Sequence, residues 1–582
     1  MLQTKRADFS GIAARFHISP VTARIIRNRD VEGDTAIDRY LNGTLDQLYD
    51  PHLMKDMDKA ASLILEKIQA GARIRIVGDY DIDGVCSTYL LYRGLSRCGG
   101  HVDYQIPERI RDGYGINESI IRKAKEDGID TIVTCDNGIA ALEQVRLAKE
   151  LGMTVIVTDH HEVVRAEDGS QILPEADAVV NPHRDDCPYP FAGICGGVVA
   201  YKLVQVLYEQ NRIPEQEWKD MLEFAAIATV GDVMKLQDEN RILVRWGLKQ
   251  IPHTASAGLR ALVEACGLDI YNLTAYHIGF VVGPCLNASG RLKTAQLALE
   301  LLLCGEGTPA ALRAEEMAAE LKLLNEERKD MTQAGMEQAF EQVDMELADD
   351  DVLVVYLPGC HESLAGIIAG RLRERYYRPT IVITDSAEGI KGSGRSIETY
   401  NMFEELMKCK ELFTKFGGHP MAAGLSMEKG MAEVLRKRLN EQTTLTSEDL
   451  TEKVVIDVPM PIDYITEHLV EELSVLEPFG KANTKPVFAE KNLQILNARI
   501  LGQNRNVLKM QVKNARGAVL EALYFGDIQG FQEYLEKKFG SVEMEKLFQG
   551  RENRVSLSVV YYPSINEFRD RRTLQIVIQK YQ

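Results

Sequence analysis

The sequence predicts an α/β protein: a parallel-sheet domain, a long helical connector, a smaller α/β domain and a C-terminal strand-rich barrel. Three observations predict it. Four short β-branched runs, Ile74-Arg75-Ile76-Val77, 130–135, 154–158 and Ala178-Val179-Val180, each end in polar residues, and helical stretches such as 140–151 lie between them. Strand, helix, strand at this spacing implies right-handed βαβ units and a parallel sheet. From Thr308-Pro309 the chain is rich in Ala, Glu, Leu and Lys, interrupted only by Gly335, which suits a long helix. The last part carries strand-like runs at 454–458, 493–501, 507–512, 519–525, 554–562 and 573–578, compatible with an OB-type barrel.

At 582 residues the chain is too long for one core, and about three or four domains are expected. Residues 1–50 read as a helical lead-in, with Ser19-Pro20 opening a helix. The sheet domain is placed at 51–305, the connector at 306–350 and the second α/β unit at 351–441, opening on Asp351-Val352-Leu353-Val354. A polar, acidic stretch at 442–453 leads into the last domain, 452–582.

Composition excludes some classes. No apolar run approaches the length of a membrane span, and the first residues lack the apolar core of a secretory signal. Ten cysteines without a CxxC pair read as reduced thiols of a cytoplasmic protein. A net charge of −18 argues at first against a polyanionic partner, but residues 491–582 hold 15 Lys and Arg against 9 Asp and Glu. Arg505, Lys509, Lys513 and Arg516 alternate with apolar residues there, and Tyr524, Phe525, Tyr561 and Tyr562 offer candidate stacking faces.

The run Gly78-Asp79-Tyr80-Asp81-Ile82-Asp83-Gly84 places three carboxylates at alternate positions after a strand. Carboxylates this close repel one another, so a multivalent cation such as Mg²⁺ or Mn²⁺ is expected to compensate them. A calcium-binding loop needs a preceding helix and a Glu at its twelfth position, where this chain has Leu90. The alternative is a loop whose aspartates cap the next helix. Asp136-Asn137-Gly138 and Asp159-His160-His161-Glu162 end two further strands, and in parallel sheets ligands bind beyond the carboxyl ends of strands, so these clusters should converge. Gly231-Asp232 follows a helical run and offers a further ligand. In Asn181-Pro182-His183-Arg184 the arginine fork suits a phosphate. Lys391-Gly392-Ser393-Gly394-Arg395-Ser396 reads as a flexible turn with hydroxyls and cations. In His361-Glu362-Ser363, Ser363 reads as a helix cap.

Together these motifs, in this order, resemble the DHH phosphoesterase superfamily, and Gly417-Gly418-His419-Pro420-Met421-Ala422-Ala423-Gly424 resembles the signature of its DHHA1 domain. Within the superfamily, Asn181-Pro182-His183-Arg184, Asn287-Ala288-Ser289-Gly290-Arg291-Leu292 and the chain length resemble the single-strand-specific 5′ exonucleases. The resemblance implies two divalent ions, Mn²⁺ or Mg²⁺: Asp81 and Asp83 each hold one, Asp136 bridges them, and His160 and Asp232 complete the shells. Val77 stands where some relatives have a histidine, so Asp79 or water is expected to ligate or to orient a ligand. Such an ion pair, about 3.5–4 Å apart, suits phosphodiester hydrolysis.

His161 is then expected to touch the scissile phosphate, to protonate the leaving oxygen, or to support the ligands from behind. The segment Ile106-Pro107-Glu108-Arg109-Ile110-Arg111-Asp112-Gly113-Tyr114-Gly115 resembles the part of the family that recognises the 5′ end. The resemblance makes Arg109 the expected terminal-phosphate contact and Tyr114 a second expected substrate contact; His183, Arg184, Arg291, Ser393, Arg395, Gly418 and His419 complete the expected substrate set.

The implied activity is metal-dependent hydrolysis of single-stranded DNA from the 5′ end to 5′-mononucleotides in recombination and repair. The implied form is a monomer, with a single-strand-binding protein and a helicase as candidate partners. The alternatives are a superfamily enzyme acting on short oligonucleotides or cyclic dinucleotides, and a replication subunit that has lost its metals. The second is disfavoured by the intact set of carboxylates.

Overall fold

Five parallel strands, β1 Arg73–Val77, β2 His101–Gln105, β3 Thr131–Cys135, β4 Thr154–Thr158 and β5 Ala178–Val180, form a sheet in the order β2-β1-β3-β4-β5. The structure, a computed structural model, describes residues 1–582 other than Thr4, Ile110, Glu306, Gln503, Asn504, Arg569 and Asp570, and other than the side chains of Thr308 and Phe568. Strand β2 has no counterpart among the sequence-predicted runs: its half-exposed edge position lets His101, Asp103 and Gln105 dilute the apolar signal. The inner strands are covered on both faces and therefore read as nearly continuous apolar runs. Helices Glu118–Glu126 and Leu142–Glu150 bury Ile120, Ile121, Val145 and Ala148 against one face.

The strand order reverses direction between β1 and β3. At such a switch point the following loops splay apart and leave a crevice beyond the carboxyl ends. The aspartate triplet follows β1 and Asp136 follows β3, so the topology aims both at that crevice.

A second sheet has the order β6-β7-β8-β10-β9, from β6 Leu353–Tyr356, β7 Thr380–Ser386, β8 Gly389–Arg395, β9 Lys415–His419 and β10 Ala422–Met427, parallel only between β6 and β7. The glycine-rich run at 391–396 and the Gly-Gly-His segment, expected as loops, lie mostly within strands β8 and β9. Space explains the glycines: a Cβ on Gly392 would meet Leu425 at 2.8 Å, and one on Gly418 would meet the Ala422 carbonyl at 2.5 Å. Lys391, Ser393 and Arg395 alternate onto the opposite face from the buried Ile390, Gly392 and Gly394. Between the sheets the 39-residue helix Thr308–Glu346 runs about 58 Å. Its Gly335 lets the helix Ala365–Tyr376 approach, since a Cβ there would lie 2.6 Å from Ile368.

These parts form one compact unit, Tyr49–Met234 with Trp246–Glu452. The other unit joins Met1–Leu48, Lys235–Arg245 and Lys453–Gln582. In it β12 Phe488–Leu501, β13 Val507–Lys513, β14 Val519–Tyr524, β16 Arg571–Tyr581 and β15 Ser556–Phe568 close into a barrel, β15 pairing back onto β12, and the short β11 Val458–Pro459 flanks β12. The expected strand at 454–458 is reduced to that end, with Ile456 bridged to Leu2. The N-terminal segment is not a separate lead-in. Its short helices cannot bury their own apolar stripes, and Ile26, Ile37 and Tyr40 join the barrel's core. A buried ion pair fixes this layer: Arg29 donates to both carboxylate oxygens of Asp457 at 2.6 and 2.9 Å.

Of the barrel residues singled out in the sequence, Tyr524 and Tyr561 are core, whereas Phe525 is exposed and Lys485 lies 3.6 Å over the ring of Tyr562. Lys509 and Arg516 are ion-paired with Glu521 and Asp463. Among the described residues no helix is long and apolar enough to cross a membrane.

Candidate active site

Asp81 caps the helix Ile82–Arg97, its Oδ1 accepting from the amides of Asp83 at 2.9 Å and Gly84 at 3.1 Å. The capping reading and the ligand reading of the triplet therefore coexist, because the cap uses one oxygen only. Asp83 is the second residue of that helix and therefore turns away from Asp81. Its two oxygens accept from the amides of Gly196 and Gly197 at the start of the helix Gly196–Gln210. The loop is held from outside by Asn287, whose side-chain oxygen accepts from the Ile82 amide at 2.8 Å.

Asp136 sits at φ 60°, a left-handed conformation that an aspartate adopts only when its surroundings impose it. Here Asn137 imposes it, donating from its side chain to the carbonyls of Val77 and Cys135. His160 Nε2 lies 3.1 Å from Asp136 Oδ1, 3.5 Å from Asp83 Oδ2 and 3.7 Å from Asp232 Oδ2. Asp232 arrives from the end of the helix Leu222–Gly231.

Three overlapping groups thus have ligand atoms within 4.8 Å of one another: Asp79, Asp81 and Asp136; Asp83, His160 and Asp232; and Asp136, His160 and His161. Burial first, and mutual repulsion second, push the carboxyls of Asp79, Asp81 and Asp136 above their ordinary range. Asp79 Oδ1 and Asp136 Oδ1 are buried without a hydrogen-bond donor. Buried acceptors without donors, in a set of hard oxygens and one imidazole, fit divalent cations. Burial also lowers the pKa of His160, which favours the neutral, ligating ring.

His161 differs from its neighbour. Burial opposes its protonation, but the 2.7 Å hydrogen bond to Asp159 and the surrounding carboxylates win, raising it to about 9. Asp159, which sequence reasoning quoted only as part of a motif, accepts from the amides of His160, His161 and Ile139 and orients the whole turn. Despite its burial its carboxyl is held low by His161. Tyr114 donates to the Asp136 carbonyl at 2.7 Å and lies 3.2 Å from His161.

Beside the triplet is a basic cluster. Arg109 stacks 4.9 Å over the ring of Tyr80, another residue the sequence did not single out. Arg291 donates to the Ser363 carbonyl at 2.9 Å. Burial and then the charges of Arg109 and Arg328 lower Arg291 to about 10; burial and then Arg109 and Arg373 lower Arg395. Gly366 makes room for the Arg395 guanidinium, which a Cβ there would meet at 2.8 Å, and it lies 3.5 Å from Ser393 on the same measure. Arg111 is exposed and paired with Asp112, and Ile110 lies outside the described residues.

The remaining candidates have other partners. Arg184 is 8% exposed and its fork is occupied by Asp186, Asp56 and the Val179 carbonyl, so it braces the loop after β5 instead of clamping phosphate. His183 faces Glu162 at 3.5 Å. Gly418 and His419 lie on the exposed edge strand β9, where His419 Nδ1 accepts from the Met421 amide. The cap of the turn at 362–364 is His361, not Ser363.

Known proteins share this arrangement. Residues 73–229 match the DHH family, N-terminal domain; residues 349–444 match the DHHA1 domain; and residues 456–580 match the RecJ OB domain. The single-stranded-DNA-specific exonuclease RecJ of Bacillus subtilis (strain 168) is 36% identical, over 98% of this chain and 68% of that protein. The chain belongs to the RecJ family. RecJ of Escherichia coli (strain K12) is 32% identical over 96% of this chain and 95% of that protein. Among solved structures, RecJ in complex with Mn²⁺ from Thermus thermophilus superposes with a TM-score of 0.81 at 26% identity, covering 100% of this chain and 79% of that one. The Mg²⁺ complex of the same protein gives 0.76 at 25% identity, covering 100% and 78%.

Proposed function

We propose that this chain is a single-strand-specific exodeoxyribonuclease that removes mononucleotides from the 5′ end in DNA recombination and repair. Strand specificity and exonuclease activity follow from membership of the family. Polarity rests on one observation in this molecule: Arg109, Arg291 and Arg395 converge beside Tyr80 and Asp81, and among the described residues none of them is in an ion pair with a carboxylate. Clustered cations without a directly paired carboxylate suit a dianionic terminal phosphate. The start of the helix Ala365–Tyr376, at Gly366 by the Arg395 fork, adds its dipole.

Asp79, Asp81 and Asp136 would hold one divalent ion, and Asp83, His160 and Asp232 the other, with Asp136 shared. Two such ions supply Lewis-acid chemistry for an in-line displacement at phosphorus. The residues of the chain do the remainder. Asp159 orients His161 through the 2.7 Å hydrogen bond, so its ring can contact a non-bridging oxygen of the scissile phosphate or pass a proton to the leaving 3′ oxygen. Tyr114 braces Asp136 and His161 together. A terminal phosphate held at the arginines places the first phosphodiester over the carboxylates, which favours mononucleotide release.

The test is the product pattern from 5′- and 3′-labelled single strands with Mn²⁺ or Mg²⁺. Mononucleotides from the 5′ label with the 3′-labelled remainder shortening stepwise support the reading. Release from the 3′ end, or activity surviving Asp136→Ala, overturns it.

A further inference from the structure

The helix Gly283–Leu292 packs against the connector Thr308–Glu346, which also receives the helix Ala257–Ala265. One face of Gly283–Leu292 serves the site. Asn287 accepts from the Ile82 amide, between Asp81 and Asp83; a Cβ on Gly290 would meet the Tyr80 carbonyl at 2.3 Å; and Arg291 joins the basic cluster. The same helix carries Cys285, which is 2% exposed and plays no part in the metal or phosphate chemistry above.

Cys285 Sγ lies 3.7 Å from Sγ of Cys266, the residue that ends Ala257–Ala265. Both are free thiols, and Cys266 is only half-buried. The hydrogen bond to Cys285 first, then Lys322 and Lys329 on the connector, hold the Cys266 thiol below its ordinary range against burial and the charge of Glu326. The same hydrogen bond, and burial, raise Cys285. Asn325 donates to Cys285 Sγ at 3.4 Å and accepts from Arg328 at 3.0 Å, and the charge of Arg328 reaches Arg291. A partly exposed thiolate above a buried thiol is the arrangement of an attacking and a resolving cysteine.

We propose that Cys266 and Cys285 form a reversible disulfide on exposure to a hydroperoxide, and that the bond lowers exonuclease activity by displacing the helix that carries Asn287 and Arg291. The Cys266 thiolate attacks one peroxide oxygen. The O–O bond breaks, the sulfur is oxidised to a sulfenic acid, and the second oxygen leaves as hydroxide and takes a proton to become water. The Cys285 sulfur then attacks the sulfenic sulfur: the S–S bond forms, the S–O bond breaks, and the departing hydroxyl takes the Cys285 proton as a second water. A small dithiol restores both thiols by exchange. Bonded sulfurs stand about 2.05 Å apart, so the pair has to close by about 1.6 Å. Cys285 is two residues before Asn287 on one helix, and whatever share of that movement the helix takes reaches the loop of Asp81 and Asp83. Misplacement of a site by about 1 Å costs on the order of 100-fold in rate.

The test treats the full chain with hydrogen peroxide in the presence of a chelator, removes the peroxide with catalase, and only then adds Mn²⁺ and a labelled single strand. Peptide mapping by mass without reductant should show the segments holding Cys266 and Cys285 joined through their sulfurs. The rate should fall by roughly 10-fold or more and return with dithiothreitol. Cys266→Ser should keep its rate after peroxide, and Cys285→Ser should stop at a sulfenic acid on Cys266 that dimedone traps. Absence of the joined peptides, or equal peroxide sensitivity in the parent and Cys266→Ser, overturns the proposal, and a joined chain that keeps its rate overturns the coupling to the site. Mapping requires no turnover, so a chain that cut from the 3′ end would refute the polarity proposed above and leave the cysteine test decisive.

Discussion

Replacing Gly196 with alanine tests whether the position of Asp136 sets the rate. A Cβ at Gly196 would lie 2.7 Å from Asp136 Cβ, 2.9 Å from its Oδ1 and 3.0 Å from its Cα, whereas ordinary contact begins at 3.4 Å. Something has to move by roughly 0.7 Å, the scale on which misplacement costs on the order of 100-fold in rate. Asp136 cannot retreat freely, since Asn137 is tied to two strand carbonyls. The Gly196 amide remains and still donates to Asp83, so the substitution adds one methyl and removes no hydrogen bond. Overpacking should cost about 1–3 kcal/mol of stability. The assay is kcat on a 5′-phosphorylated decamer with Mn²⁺ alongside thermal unfolding. Gly370→Ala, where nothing lies within 4 Å, is the control and should gain about 0.5–1 kcal/mol. If Gly196→Ala keeps kcat within about threefold of the parent, the argument that Asp136 is held in a narrow position is wrong.

Further outcomes are expected. Arg109→Ala should reduce the preference for 5′-phosphorylated over 5′-hydroxyl strands by about 10-fold or more, as the loss of one charge-assisted contact implies, with competing labelled substrates as the measurement. Mn²⁺ at about 100 times its Kd should stabilise the folded chain by about 2.7 kcal/mol, and Asp136→Asn should abolish most of that shift in a melt against a chelator series. Asp457→Ala leaves Arg29 buried without its partner and should cost about 3–5 kcal/mol in the unit that holds the barrel, read by denaturant unfolding.

Glu223 is buried, and burial raises its carboxyl to about 8 despite a hydrogen bond from Thr254. An acid whose folded pKa is raised costs nothing below its unfolded value of 4.5 and destabilises progressively as pH climbs towards 8. Glu223→Gln should remove that part of the decline, up to about 5 kcal/mol at alkaline pH. Parallel pH–stability curves for parent and variant would show the assignment to be wrong.

What the sequence determined by itself is local. β-branched runs bounded by polar residues define β1, β3, β4 and β5, because buried strands must be apolar throughout; β2, half-exposed along its length, escapes that rule. The spacing of Asp79, Asp81 and Asp83 points to a cation, since three carboxylates this close repel one another. Tertiary structure decided which carboxylates act together. The helix that starts at Ile82 turns Asp83 away from its neighbours, so that Asp81 groups with Asp79 and Asp136 but Asp83 with His160 and Asp232, and only the tertiary fold brings the second set across. It also decided that Arg184 is a brace, that glycines 392 and 418 serve close packing in strands, and that the first three helices complete the barrel's core. A residue's type limits which partners it can take. Which partner it meets depends on contacts made across hundreds of residues, and a linear pattern carries no trace of them.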